Sequence, residues 1–254
     1  MKRILVLFVM LSIFFAGTSL AQTTGEKNAA SDYKIVLILP GPINDQSWNA
    51  TNYAGLVACN KDLGTKMEYI ENVQSGDFES TFRNYAERGY DLIMAAGTQF
   101  DEAANKVAPS YPESTFCVVN GMIAKTDNAM PIFPKEYEAS FLAGIIAAHL
   151  TESGKIATVG GFPNKAMVDL LDVYEATAKK YAKDKRGMAV EAVRAYANSW
   201  SDVALGKQMA ETMIDNGADV LFFYANQVGL GAIQAAKEKE AKFVGFSANQ
   251  NDIA

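Results

Sequence analysis

The chain has 254 residues, of which 49% are hydrophobic and 20% charged, and a formal net charge of −6. That is enough apolar material for one large α/β domain or two lobes with separate cores. An acidic chain without a basic run has no electrostatic footprint for a phosphate backbone, which excludes nucleic acid as a partner.

The first residues read as a secretory signal peptide: Lys2 and Arg3, an apolar run over 4–16, then Ser19-Leu20-Ala21 with small residues at the cut. Cleavage is expected after Ala21, giving a leader of residues 1–21. The apolar run falls short of the roughly 20 residues a membrane span needs. No cysteine stands at the cut to accept a lipid, so the mature protein is expected in a periplasm. Residues 22–31, polar and small, read as a flexible linker.

Ile35-Val36-Leu37-Ile38-Leu39 is an unbroken run of β-formers closed by Pro40-Gly41-Pro42. Such a run predicts a strand buried on both faces, hence a parallel sheet. A helix follows over 47–63, with Tyr53, Leu56 and Val57 apolar and Gly64 as its stop. Residues 66–73 alternate imperfectly and read as a second strand. Phe78, Phe82, Tyr85 and Ala86 share one helical face that Gly89 ends. Residues 91–97 form a third strand with a glycine turn, Phe100, Ala103, Ala104 and Val107 mark a helix, and 115–119 is a fourth strand closed by Asn120-Gly121. Parallel neighbours require crossover helices, so this alternation specifies a doubly wound sheet.

At 130–134 the pattern breaks around Pro131 and Pro134, which sets a lobe boundary. The next helix starts near Glu136 and is expected to bury Tyr137, Phe141, Ile145 and Ile146. The winding then repeats: strands at 156–160, 190–197, 219–225 and 242–246, with helices at 167–181, 203–216 and 231–238. The fold class is therefore α/β, with two tandem doubly wound parallel-sheet lobes over 32–134 and 135–254. The last strand lacks a covering helix, so the natural protein is expected to continue past Ala254 unless this is a truncated product.

Two cysteines, Cys59 and Cys117, sit in a helical pattern and a strand run, where buried thiols are favoured over a disulfide. His149, the one histidine, falls on an apolar helix and reads as a packed or half-exposed side chain. One histidine cannot make a His-based metal cluster, and neither metal nor cofactor is assigned.

Polar and aromatic residues recur where strands end, which is where open α/β sheets bind ligands. Asn44, Asp45, Trp48 and Asn49 follow the first strand, Thr98 and Gln99 the third, and Asn120 the fourth. In the second lobe these are Phe162, then Asn198 and Trp200, then Tyr224, Asn226 and Gln227, and last Ser247, Asn249 and Gln250. Amides with two tryptophans suit a neutral, flat, hydrogen-bonding ligand. Singly, each has a structural reading too: Asp45 or Ser47 serves equally as a helix cap, and either tryptophan as interlobe packing. Gly160-Gly161 and Gly229-Leu230-Gly231 match no phosphate-loop pattern and read as tight-turn glycines. No nucleophile elbow or Ser-His pairing is visible, and the chain reads as a non-enzyme.

These motifs resemble the basic membrane protein family of ABC-transporter substrate receptors, which includes nucleoside- and purine-binding proteins of the type I periplasmic-binding fold. The resemblance runs from about Lys34 onward. It rests on Asn44-Asp45-Gln46-Ser47-Trp48-Asn49, Glu138-Ala139-Ser140-Phe141-Leu142-Ala143-Gly144, Gly154-Lys155-Ile156, Trp200-Ser201-Asp202 and Gly217-Ala218-Asp219-Val220. It implies a monomeric receptor that hands a small purine- or nucleoside-like solute to a membrane permease. It also implies that Trp48 stacks on the ligand and Asp45 is a polar contact. Two aspartates that hold ribose hydroxyls in nucleoside receptors fall at Asn120 and Ser247 here. Neutral amide and hydroxyl groups bond a diol more weakly than a carboxylate does, so the implied ligand shifts towards a free base or another planar solute. Leu170, Val173, Tyr174 and Thr177 replace a phenylalanine-glycine pattern and are expected to reshape the cleft wall. The family's C-terminal segment, which returns to the first lobe, is missing after Ala254. The rivals are a sugar-type or signalling receptor of the same fold and a nucleotide-dependent enzyme.

Overall fold

A computed structural model describes residues 29–247 and residue 250. The signal-peptide segment, most of the linker, Asn249 and residues 251–254 lie outside the described residues. The linker's last residues take part in a short 3-10 turn, Ala30–Asp32, that leads into the first strand.

The first lobe comprises β1 (Ile35–Ile38), α1 (Trp48–Asp62), β2 (Glu68–Ile70), α2 (Phe78–Glu87), β3 (Leu92–Ala96), α3 (Asp101–Val107), β4 (Thr115–Val119) and β5 (Ala129–Ile132). Its sheet is parallel throughout, in the order β2-β1-β3-β4-β5. The second lobe comprises α4 (Glu136–Leu150), β6 (Lys155–Gly160), α5 (Lys165–Arg186), β7 (Glu191–Tyr196), α6 (Val203–Asp215), β8 (Val220–Tyr224), α7 (Gln227–Glu238) and β9 (Lys242–Phe243). Its parallel sheet runs β7-β6-β8-β9, the same winding order as the first. In each sheet the order reverses beside the first strand of the lobe, which opens a crevice at the carboxyl ends of β1 and β3 and of β6 and β8.

Alternate residues of each central strand feed opposite cores, as the two-residue period requires. Val36 and Ile38 join Phe82, Phe100 and Phe116 beneath α2 and α3, while Leu37 and Leu39 pack with Leu56 of α1. In the second lobe Val220 and Phe222 face α4 and α5, and Leu221 and Phe223 face α6 and α7. The four apolar residues expected on one face of α2 are all buried. Strand β1 is buried along its whole length.

Three expectations need correction. The break at 130–134 contains β5, an edge strand paired to β4; an edge position tolerates Pro131 because its missing N–H is asked of no second neighbour. Helix α4 does not bury Phe141 or Ile146, each 50% exposed. Its buried residues are Ser140, Gly144, Ala147 and Ala148. The reason is backbone proximity: a Cβ on Gly144 would collide with the Tyr174 carbonyl of α5, so the contact face had to be small and not merely apolar. Of the paired glycines read as turn residues, only Gly161 sits in a bend; Gly160 ends β6, and Gly229 and Gly231 lie inside α7. Gly231 sits inside α7, where a side chain would meet the Val203 carbonyl, and Gly206 of α6 meets Val228 in the same way.

Cys117 is buried, Cys59 is half-buried, and both are free thiols. Among the described residues no helix is long and apolar enough to cross a membrane.

Candidate functional site

The loop after β1 is organised by Asp45, whose buried carboxylate accepts four hydrogen bonds. Oδ1 takes the amides of Ser47 and Ala50, each at 2.9 Å, and Oδ2 takes the amide of Asn49 at 3.1 Å and its Nδ2 at 2.7 Å. An ionised carboxylate has about four acceptor sites, and the helix start uses all of them, in the place where negative charge suits the α1 dipole. Asn49 is tied into the same loop, since its Oδ1 also receives the Gly41 amide at 3.3 Å. The same loop presents Trp48, whose Nε1 donates to the Ala96 carbonyl at 3.0 Å and so fixes the indole at the end of β3.

The two crevices face each other and enclose one cavity of about 430 Å³, within the size range of small-molecule sites. Trp48 lines it from the first lobe, and Phe162 and Trp200 from the second. The rings of Phe162 and Trp200 are 5.4 Å apart and tilted by 51°. Trp200 lies against the backbone of Gly161, with no room there for a Cβ. Met167, at the start of α5, adds a soft apolar wall.

The polar lining is mostly amide. Asn72, Asn120, Asn198 and Asn226 all border the cavity, and all four have positive φ, between 47° and 62°. They follow β2, β4, β7 and β8, so the positive-φ residue after each strand is an asparagine, the non-glycine residue that best tolerates it; at Asn226 the ψ of −122° lies outside the left-handed helical well. Each amide is thus a turn former and a cavity wall together. The side chains of Thr98, Gln99, Asn198 and Gln227, also on the wall, make no hydrogen bond among the described residues.

Among the described residues, Glu136 is the one lining carboxylate with acceptor capacity left. It opens α4, beside the crossover between lobes, and receives the Tyr224 hydroxyl on Oε1 at 2.6 Å and Asn120 Nδ2 on Oε2 at 3.1 Å. Burial raises its pKa, while the bonds from Tyr224 and Asn120 pull it back down. Burial also holds the Tyr224 hydroxyl well above its usual range, helped by the neighbouring Glu136 charge. A second bond between lobes links Ser47 Oγ to Asn226 Oδ1 at 3.4 Å.

Of the residues singled out from sequence, Asp45, Trp48, Asn49, Asn120, Phe162, Trp200, Tyr224 and Asn226 border this cavity. Asn44 does not: it is exposed on the outer side of the turn whose next residue, Asp45, points inward. Ser247 is also outside the lining and reaches the site only through a bond to the Tyr224 hydroxyl. Leu170 and Tyr174, expected on the cleft wall, belong to the core under α4; the cavity face of α5 is its first turn. Glu136, Asn72, Gln74, Asn164 and Met167 are lining residues the sequence reading passed over. Asn164 carried a signal, since it caps α5 through the Met167 amide at 2.9 Å.

The chain belongs to the family described as ABC transporter substrate-binding protein, PnrA-like, whose family model matches residues 33–254. It is 29% identical over 214 residues to the ABC transporter nucleoside-binding protein BmpA of Lactococcus lactis subsp. cremoris, a match covering 83% of this chain and 58% of the relative. Among solved structures it is similar to an ABC transporter system solute-binding protein from Aeropyrum pernix K1, with 26% identity and a TM-score of 0.80, covering 86% of this chain and 63% of that one. The chain therefore spans less than two thirds of each of these two relatives. GanP, a glucose-galactose binding protein from Geobacillus stearothermophilus, shares the fold at 19% identity and a TM-score of 0.63, over 87% of this chain and 79% of its own.

Proposed function

We propose that this protein is an exported receptor that captures a small planar solute, purine- or nucleoside-like, between its lobes and delivers it to the permease of an ABC importer. The observation that carries the reading is the interlobe cavity bounded by Trp48, Phe162 and Trp200 with an amide-rich rim. Aromatic faces supply stacking without regard to ring orientation, and amides supply donor and acceptor together, so the pair suits a flat heterocycle. Family membership supports the transport role, and the nucleoside-binding relative supports the ligand class. The receptor acts as a monomer in the periplasm and carries out no chemistry on its ligand. Lobe closure about the crossover at 133–135 would bury the ring.

A thermal-shift screen of purine bases, nucleosides and sugars tests this. A true ligand at a hundredfold excess over its dissociation constant should add about 2.7 kcal/mol to stability. Trp48→Ala should weaken binding by about 1–3 kcal/mol, the value of base–aromatic stacking. Absence of any shift, with no copurified solute by mass spectrometry, would remove the reading. A sugar is the second reading, favoured by the carboxylate of Glu136 within the cavity wall; a shift confined to the sugars in the screen would select it.

A further inference from the structure

The cavity rim is acceptor-rich at one point, where α4 meets the end of β4. Glu136 offers a carboxylate with about four acceptor sites, of which Tyr224 and Asn120 occupy two. Asn120 Oδ1 is buried with no hydrogen-bond partner. The amide cannot simply be turned over to relieve this, because Oδ1 would then oppose the Glu136 carboxylate, acceptor against acceptor. Its orientation is therefore fixed by Glu136, and the orphaned oxygen is a consequence of that bond.

Charge points the same way. No lysine or arginine is within ion-pair distance of Glu136 among the described residues; the nearby Lys135 pairs instead with Glu138 at 3.8 Å. A partly buried carboxylate with two neutral donors and no cation is incompletely compensated. An unpartnered carbonyl oxygen beside it adds a second unmet demand for a donor. Both residues line the cavity, but the orphaned oxygen is turned away from accessible space; the demand a bound molecule can meet is the carboxylate's, one acceptor site being left on each oxygen.

We infer that Glu136, its carboxylate held in place by Asn120 and Tyr224, selects a ligand presenting two adjacent hydrogen-bond donors to this corner. This rests on the receptor reading above and specifies it further. Two chemical sources fit: the N–H and amino edge of an aminated heterocycle, or a vicinal diol. Glu136 is then the specificity-determining side chain, and Asn120 its positioning partner. An acceptor edge in the same place, such as a ring carbonyl, meets the carboxylate oxygens and is rejected.

Titration calorimetry on the full chain with two matched pairs separates the sources. Guanine against hypoxanthine removes only the ring amino group, and a ribonucleoside against its 2′-deoxy form removes only one hydroxyl of the diol. One of the two pairs should show at least a tenfold loss of affinity on removing the donor, as expected for a hydrogen bond to a charged acceptor. Glu136→Gln should close that gap, whereas Tyr224→Phe, which leaves the carboxylate in place, should keep it. Ligand-free melting temperatures check that both variants fold. If Glu136→Gln fails to fold, Glu136→Ala, which also removes the carboxylate, carries the same comparison. Equal binding within both pairs, or a gap that survives Glu136→Gln, overturns this inference and leaves the receptor standing. Binding of none of these compounds removes both.

Discussion

The indole of Trp200 rests on the α-carbon of Gly161, so closely that no side chain fits between them. A strand-end glycine is thus the floor on which one cavity wall is laid. Gly161→Ala should push the indole into the cavity or off its seat. The expected result is a loss of ligand affinity of tenfold or more, with a shift in tryptophan emission and little change in the melting temperature. An unchanged affinity would mean the indole is not part of the binding surface.

Asp45 is more demanding than its exposed neighbour Asn44. Its four accepted bonds leave nothing for a ligand. Asp45→Asn would turn an amide donor towards two of the donors it now receives. The expected cost is about 2–3 kcal/mol of stability, measured by denaturant titration, together with a weakened site because Trp48 moves with the helix start. A variant of normal stability that lost only binding would instead make Asp45 a direct ligand contact.

Helices α6 and α7 touch through Gly206 and Gly231, each against a carbonyl of the other helix. Backbone cannot yield as a side chain can. Gly231→Ala should therefore destabilise the second lobe by about 1–3 kcal/mol through overpacking, despite the higher helix propensity of alanine. A stabilised variant would show that the helices can separate freely.

Asp219 anchors the end of α4 to the start of β8. Burial raises its pKa, but the Thr151 hydroxyl and the amides of Ser153 and Glu152 outweigh this, and the net shift is downward. A depressed acid contributes stability above its unfolded pKa, about 3.9, and loses it as pH falls through the folded value. Asp219→Asn should thus cost about 2 kcal/mol at neutral pH, and the difference from wild type should shrink steadily below about pH 4. A difference independent of pH would assign the loss to packing.

Much of the fold is legible in the residues because two periods govern it. The run 35–39 and the stripe Phe78, Phe82, Tyr85 and Ala86 leave little choice of element or of buried face. Helix α4 is different: apolar residues surround it, so periodicity names no face, and the true contact is selected by how near α5 comes to Gly144. That distance is a tertiary fact. Strand β5 is hidden by Pro131, which is acceptable only once the strand is known to be an edge. At the site, aromatic and amide residues at strand ends are visible as a group. Glu136 is not, because an acid in the first turn of a helix already has a sufficient local explanation in the helix dipole.

The asparagines at the ends of β2, β4, β7 and β8 tie two selective pressures to the same positions. Replacing one to suit a different solute also gives up asparagine's tolerance of positive φ, at up to about 1–2 kcal/mol for a residue without it. Changes of ligand preference within this scaffold should then accumulate first at Thr98, Gln99 and Gln227, which border the same space with negative φ. A deep mutational scan read for binding would find those three sites permissive and the four asparagines nearly closed to anything but glycine or aspartate.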